Sequence, residues 1–191
     1  NIAHGCNTIL ATKTALTYAD YCVTEAGFGA DLGAEKFIDV KCRLANLAPK
    51  CVVIVATVKA LKLHGGADKK DLSTENLAAL EKGLPNLVKH IKNITEVFGL
   101  KCVVAINRFT TDTQIEMSMI EKTCQGLGVP AAFCEVWAKG GEGGLDLAQK
   151  VVNLVESANA SCRYTYEFAQ PIADKITAIA TKIYGAASVE F

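Results

Sequence analysis

Two short runs in this chain, CVVIVAT at 51–57 and CVVAIN at 102–107, are apolar at almost every position. Runs this short and this rich in Val and Ile read as strands, and a strand apolar on both sides of its pleat has to be covered on both faces. Flanking helices must supply that cover, which argues against an antiparallel sheet with one wet face. Two further β-rich runs, YCVTE at 21–25 and AAFCEV at 131–136, complete a set of four expected strands.

Between the runs the apolar residues step by three and four. From 73 to 98, Leu77, Leu80, Leu84, Leu87, Ile91, Ile94 and Phe98 draw one helical stripe, with Ser73 as its expected N-cap. Gly83 and Pro85 interrupt that stripe and predict a kink or two abutting helices. Thr113 with Glu116 forms a capping box for the next helix, which Gly126 and Gly128 end. Another helix is expected over 145–157. Pro171 opens the last one, Ile172, Ile176, Ile179 and Ile183 form its stripe, and Gly185 stops it. Helices over about 7–19 and 34–43 complete the alternation. Strands separated by crossover helices form a parallel sheet with right-handed connections. The expected class is α/β, a three-layer parallel sheet flanked by helices, in one piece over 1–191.

Composition narrows the function. Of 191 residues half are apolar, and 20 Lys and Arg balance 20 Asp and Glu. Such a chain has no basic excess for a nucleic-acid backbone or an anionic membrane. No run approaches the roughly 18 apolar residues of a membrane helix, and no signal peptide opens the chain. The eight cysteines include no CxxC and no zinc-like spacing with His. They read as free thiols in a reducing cytoplasm, with no metal site. The chain opens on NIAHGCNT without Met and closes on SVEF just after a helix stop, so an internal segment of a longer polypeptide is expected.

In a parallel sheet, ligands bind beyond the carboxyl ends of the strands. The segments expected there are EAGFGADLG after the first run, VKALKLHGG after the second, NRFTTD after the third and WAKGGEGG after the fourth. Singly they are weak signals. GFGADLG, with Gly27, Gly29 and Gly33, misses the dinucleotide spacing by a residue, and Asp31 serves equally well as a helix-entry acid. KGGEGG, with Lys139, Gly140 and Gly141, lacks the ending of a phosphate loop. Asn107 could recognise a base or cap the next helix. His64, followed by Gly65 and Gly66, could be a base, a phosphate donor or a plain loop residue. His90 reads as part of a solvated face, and His4 lies too near the terminus to judge. The aromatics say more. Phe28, Phe109 and Trp137 fall in expected loops, and Phe133 sits near a strand end. Together they could form an apolar slot for a flat heteroaromatic ligand.

Taken in order, NIAHGCNTILATKTAL, TEAGFGADLGAEKFIDVKCR, IVATVKALKLHGG, VVAINRFTTDT, WAKGGEGG and the final KIYGA closely resemble formate–tetrahydrofolate ligase, also called 10-formyltetrahydrofolate synthetase. The resemblance covers essentially the whole chain. It implies a cytoplasmic one-carbon enzyme, commonly a homo-oligomer, with a fold similar to P-loop NTPases. Its substrates would be formate, tetrahydrofolate and ATP with Mg, and its reaction would run through formyl phosphate, with activation by a monovalent cation. It also implies that Phe28, Phe109, Phe133 and Trp137 hold the pterin. Contacts to nucleotide or formyl phosphate would come from Gly27, Gly29, Asp31, Lys59, His64, Gly65, Gly66, Asn107, Lys139, Gly140 and Gly141.

Three departures stand out against that family pattern. Lys59 replaces an Arg, keeping charge but losing a bidentate fork. Thr110 stands where relatives carry Pro or Lys. The phosphate loop and the GLKGGAAGGGY signature do not occur. The segment is therefore expected to supply mainly the folate site, to depend on the rest of its parent chain and to be inactive alone, with the catalytic residues mostly elsewhere. Two competing readings remain at this level: a dinucleotide-binding oxidoreductase domain, and a non-catalytic structural segment.

Overall fold

The computed structural model describes residues 5–159 and 161–191, so His4 lies outside the described residues. In chain order the elements are α1 (Ile9–Tyr18), α2 (Ala30–Glu35), a π-helical stretch Lys36–Cys42, α3 (Arg43–Ala45), β1 (Val52–Ala56) and α4 (Val58–His64). There follow a 3-10 turn Lys69–Asp71, α5 (Leu77–Lys92), a π-helical turn Asn93–Val97, β2 (Cys102–Asn107), α6 (Gln114–Gly126) and β3 (Ala131–Cys134). The chain closes with α7 (Val136–Lys139), a 3-10 turn Gly140–Gly144, α8 (Leu145–Glu156) and α9 (Ile172–Lys182). They group into two compact units. One comprises Asn1–Pro49, Glu96–Gly99 and Ala160–Phe191, the other Lys50–Thr95 and Leu100–Asn159.

The second unit is α/β, as its apolar runs predict. Its sheet is parallel in the order β1-β2-β3. Val52 pairs with Cys102, and Val104 with Ala131. The central strand β2 is buried from Cys102 to Ile106, so both of its faces are covered. α5 and α6 pack on each other and on the sheet, and α8 packs on β3 and β2. The edge strand β1 departs from expectation: Ile54 and Ala56 are buried, but Val53 and Val55 are 40% and 66% exposed. The other edge strand, β3, is buried at Ala131, Ala132 and Cys134, so what bares one face of β1 is missing helix cover and not its edge position.

α5 runs unbroken through Gly83 and Pro85, so the stripe is one helix and not two abutting ones. Gly83 serves a close helix crossing instead. A Cβ there would lie 1.9 Å from the Leu61 carbonyl oxygen, and one on Gly65 would lie 1.7 Å from that of Ala79. The glycines let α4 and α5 touch backbone to backbone. The N-cap is Asn76, not Ser73, and its Oδ1 accepts the Ala79 N–H at 2.9 Å. The capping box of α6 forms as read, Thr113 with Glu116.

The first unit has no sheet among its described residues. The expected strand at 21–25 is extended chain without ladder partners, and the one pairing nearby is an antiparallel bridge from Cys6 to Ala26. Alternating apolar residues make a strand only where a neighbour offers its edge; here Val23 stays exposed. α2, the π-helical stretch and α3 follow one another without a break and bury Ile38, Asp39, Lys41 and Cys42. Asn46, in the left-handed region at φ +54°, ends that run.

Polar contacts dominate this unit. The fully buried Asp39 accepts the Thr165 N–H at 2.7 Å through Oδ1 and the Thr165 hydroxyl through Oδ2. Lys41 donates to Asn7 and Thr12, each at 2.9 Å. The Arg43 guanidinium sits 4.1 Å from the Tyr164 ring centroid and 4.5 Å from that of Phe168. Burial, then the neighbouring Asp39, pushes the Glu35 carboxyl up to about 7. α9 starts after Pro171 and its stripe buries Ile183, whereas Ile172 stays exposed. No helix of the described residues is long and apolar enough to cross a membrane.

Candidate functional site

Parallel strands bring all their carboxyl ends to one edge of the sheet. At that edge of the second unit three connections meet. After β1, Thr57 caps α4 by accepting the Ala60 N–H at 3.1 Å, which sets Lys59 in the first turn. The Lys59 ammonium lies 5.3 Å from the Phe109 ring centroid. After β2, the Arg108 N–H continues the ladder to the Cys134 carbonyl at 3.0 Å. The chain then turns, and the turn is closed by Asp112: its N–H donates to Phe109 O at 3.0 Å, and its Oδ2 accepts the Phe109 N–H at 2.8 Å. After β3 comes Glu135 and then Trp137 on the short α7.

Phe109 is 42% and Trp137 84% exposed, so neither ring is spent on the core. Phe133 is half-buried and pairs with Ile106 inside the sheet. Asn107 ends β2 opposite Cys134. Between these residues runs a charged brace: the Glu135 carboxylate accepts Arg108 Nη1 at 2.8 Å and Lys139 Nζ at 2.6 Å. The hydrogen bond from Lys139, aided by Arg108, holds the Glu135 carboxyl below the usual carboxylate range. The cations Lys59, Arg108 and Lys139 stand here against the carboxylates of Glu135, Asp112 and Glu142, so the rim is mixed in charge.

A second ion pair fixes the rim from beneath. Lys62 and Glu116, both fully buried, meet at 2.9 Å. Glu116 Oε1 also accepts the Asn76 N–H at 3.0 Å, and Oε2 the Thr113 N–H at 3.1 Å. Lys62 donates further to Thr74 O at 2.9 Å. Burial alone would raise the Glu116 carboxyl, but the bonds from Lys62, Asn76 and Thr113 outweigh it and hold it low. The α4 turn with Lys59 and the loop with Phe109 are thereby tied to one anchor.

The glycine-rich segment is a 3-10 turn leading into α8. Gly143 faces Glu135 so closely that a Cβ would lie 2.4 Å from the Glu135 carbonyl carbon, and the Glu135 N–H bonds Gly143 O at 2.9 Å. That contact folds the turn back onto the base of Trp137. Gly140 and Gly141 face open space. His64, Gly65 and Gly66 were expected in a loop at the strand end, but α4 occupies that position and carries them to its far end, about 10 Å along its axis. Gly65 there serves the α4–α5 crossing.

Phe28, Gly27, Gly29 and Asp31 belong to the first unit. Phe28 is 60% exposed and holds φ at +70°, a region that bulky side chains rarely enter. Its ring covers Gly5, where a Cβ would lie 2.8 Å from Phe28 Cδ2. Gly27 donates its N–H to Gly5 O, Gly29 caps α2, and Asp31 lies in that helix's first turn. Burial, then a hydrogen bond to Asp31, pushes the Tyr184 hydroxyl up.

Arg108, Glu135, Asp112 and the Lys62–Glu116 pair escaped sequence reasoning. The i, i+4 spacing of Glu135 and Lys139 was the one signal available. Apolar residues at the carboxyl edge of a parallel sheet, with cations beside them, suit a flat ligand with an anionic partner. The family model for formate–tetrahydrofolate ligase matches residues 1–191. A match across the full length, on a chain folded as α/β, establishes that the protein belongs to the formate–tetrahydrofolate ligase family.

Proposed function

We propose that this chain supplies the tetrahydrofolate site of an ATP-dependent ligase that makes 10-formyltetrahydrofolate, ADP and phosphate. The observation that carries the reading is the pair of exposed rings, Phe109 and Trp137, on adjacent connections at the carboxyl edge of the sheet. The pterin stacks on them, with Phe133 at the strand end beneath; Phe28 is a further folate-binding residue in this reading. Lys59, Asn107, Lys139 and the open Gly140 and Gly141 face the anionic reactant. Gly27, Gly29 and Asp31 are further contact residues in this reading.

The chemistry needs two displacements. A formate oxygen attacks the γ-phosphorus of ATP, and ADP leaves with the bridging electron pair, giving formyl phosphate. The N10 amine then attacks the formyl carbon; the tetrahedral adduct expels phosphate, and the amine proton is lost. A cation such as Lys59 stabilises charge gathering on the departing phosphate. Among the described residues no group of three or more His, Cys, Asp or Glu side chains could hold a metal ion. The phosphate-cradling groups are contributed by the rest of the parent polypeptide, which works in the cytoplasm as a homo-oligomer. Its free cysteines suit that compartment, with burial pushing the Cys42 and Cys102 thiols up to about 12.

Trp137→Ala tests the reading. Tetrahydrofolate should bind about tenfold more weakly, as loss of ring stacking implies, while the urea midpoint stays unchanged because the indole is exposed. Unaltered affinity in a folded variant would sink the slot. Titration of the parent protein with tetrahydrofolate should quench its Trp137 fluorescence.

A further inference from the structure

Asp112 is 7% exposed, and its two carboxylate oxygens fare differently. Oδ2 accepts the Phe109 N–H at 2.8 Å, whereas Oδ1 is buried with no hydrogen-bond partner. A desolvated carboxylate oxygen without a donor is costly, more so than a neutral one. The loop is not free to relieve that cost. Its start is pinned where Arg108 N–H meets Cys134 O, its end where Thr113 N–H meets Glu116, and Glu116 is itself tied to the buried Lys62. Closing the turn needs one oxygen only, and an Asn would do it as well. The charge and the second oxygen are left over, one carboxylate's width from the atom that orients the Phe109 backbone.

We propose that Asp112 Oδ1 accepts a hydrogen bond from the 2-amino or ring N–H edge of a pterin stacked on Phe109, making Asp112 a specificity-determining residue of the folate slot. This rests on the folate reading above. The aminopyrimidinone edge of a pterin is a row of N–H donors, and a carboxylate is the acceptor that binds such a row best. Oδ1 has no donor in the ligand-free loop, and the pinned ends leave the Asp112 side chain, rather than the backbone, to turn toward a donor that a ligand brings. The carboxylate rejects ring systems that present an acceptor or a methyl at that edge, because they leave its charge buried and unpaired.

The test is Asp112→Asn in the full-length enzyme, with Trp137→Ala beside it. Each is measured for tetrahydrofolate affinity, KM for ATP and formate, and urea midpoint. Two ligands are compared: tetrahydrofolate and an analogue whose 2-amino group is replaced by methyl. Asp112→Asn should weaken tetrahydrofolate at least about tenfold and leave the KM for ATP and formate unchanged. It should bind the methyl analogue more tightly than the parent does, because the rejecting charge is gone. The ligand-free variant should be as stable as the parent or more so, since an unpaired charge is gone. A residue that merely closes the turn would not separate the two ligands. If Trp137→Ala loses folate and Asp112→Asn binds it as the parent does, the Asp112 proposal is overturned and the slot stands. If both variants bind as the parent does, the slot reading fails, and this proposal with it.

Discussion

In the sheet-bearing unit the buried residues are overwhelmingly apolar, from Val103, Val104 and Ile106 of β2 to Leu80, Leu87 and Ile91 of α5 and Ile120 of α6. The helical unit buries Glu35, Asp39, Lys41 and Thr165 alongside Ile38 and Cys42. One is held by a packed core with a single ion pair set in it; the other adds directed contacts among polar groups to a smaller apolar set that includes Ala45, Phe98 and Ile183. The difference shows in what each tolerates. Apolar burial is non-directional and survives small displacements, while hydrogen bonds from Asp39 and Lys41 require each partner in place and leave a costly vacancy when one goes. It also separates their responses to solution conditions: charge and pH act on the helical unit first.

Substitutions in each unit test that contrast. The largest effect is expected where the apolar unit keeps its one buried charge pair. Lys62→Ala strands Glu116 and should cost about 3–5 kcal/mol in urea unfolding, whereas Lys62→Met with Glu116→Leu should recover much of it. Equal losses in single and double variants would show that packing, not charge, is at stake.

The helical unit should instead respond to pH. The folded-state pKa of Glu35, about 7, lies above its ordinary 4.5. Its protonated form is therefore favoured by folding. That contribution is fully present below about pH 4.5 and is lost as pH rises through 7, about 3 kcal/mol in all. Glu35→Gln should flatten the profile between pH 5 and 8. Hydrogen exchange of α2 amides reads the change, and an unaltered profile would remove Glu35 from the account.

Gly83→Ala tests the backbone crossing of α4 on α5 and should cost about 1–3 kcal/mol by overpacking, despite the better helix propensity of Ala. A gain in melting temperature would contradict the close approach. The smallest change is Thr113→Ala, where loss of the capping box should cost about 1 kcal/mol. It should also loosen the Phe109 loop, visible as faster amide exchange at Asp112.

The two units also differ in how far the sequence disclosed them. β2, α6 with its capping box, and α8 follow from apolar periodicity and caps, because their stability comes from burying a regular stripe. The exposed aromatics Phe109 and Trp137 stood out for the matching reason, as large rings outside any stripe. The residues 21–25 alternate as a strand should and yet join no sheet, since pairing depends on a neighbour that no local pattern announces. Gly83 looked like a helix breaker because its partner carbonyl, Leu61 O, lies 22 residues away in sequence. Glu135 and Arg108 become a brace only when β2 and β3 lie side by side.

By itself, then, the sequence determined the class of the sheet-bearing unit, the membership of its central strand, the loops that carry rings, and the family. These are local or compositional properties, written in spacing and residue type. Tertiary structure alone decided which face of β1 stays bare, why glycine stands at 65 and 83, and how Lys62 and Glu116 anchor the rim. It also decided that Phe28 holds a left-handed backbone and that one oxygen of Asp112 lacks a donor. Each of those depends on atoms far apart in the chain meeting within a few ångströms, and only the folded chain specifies such distances.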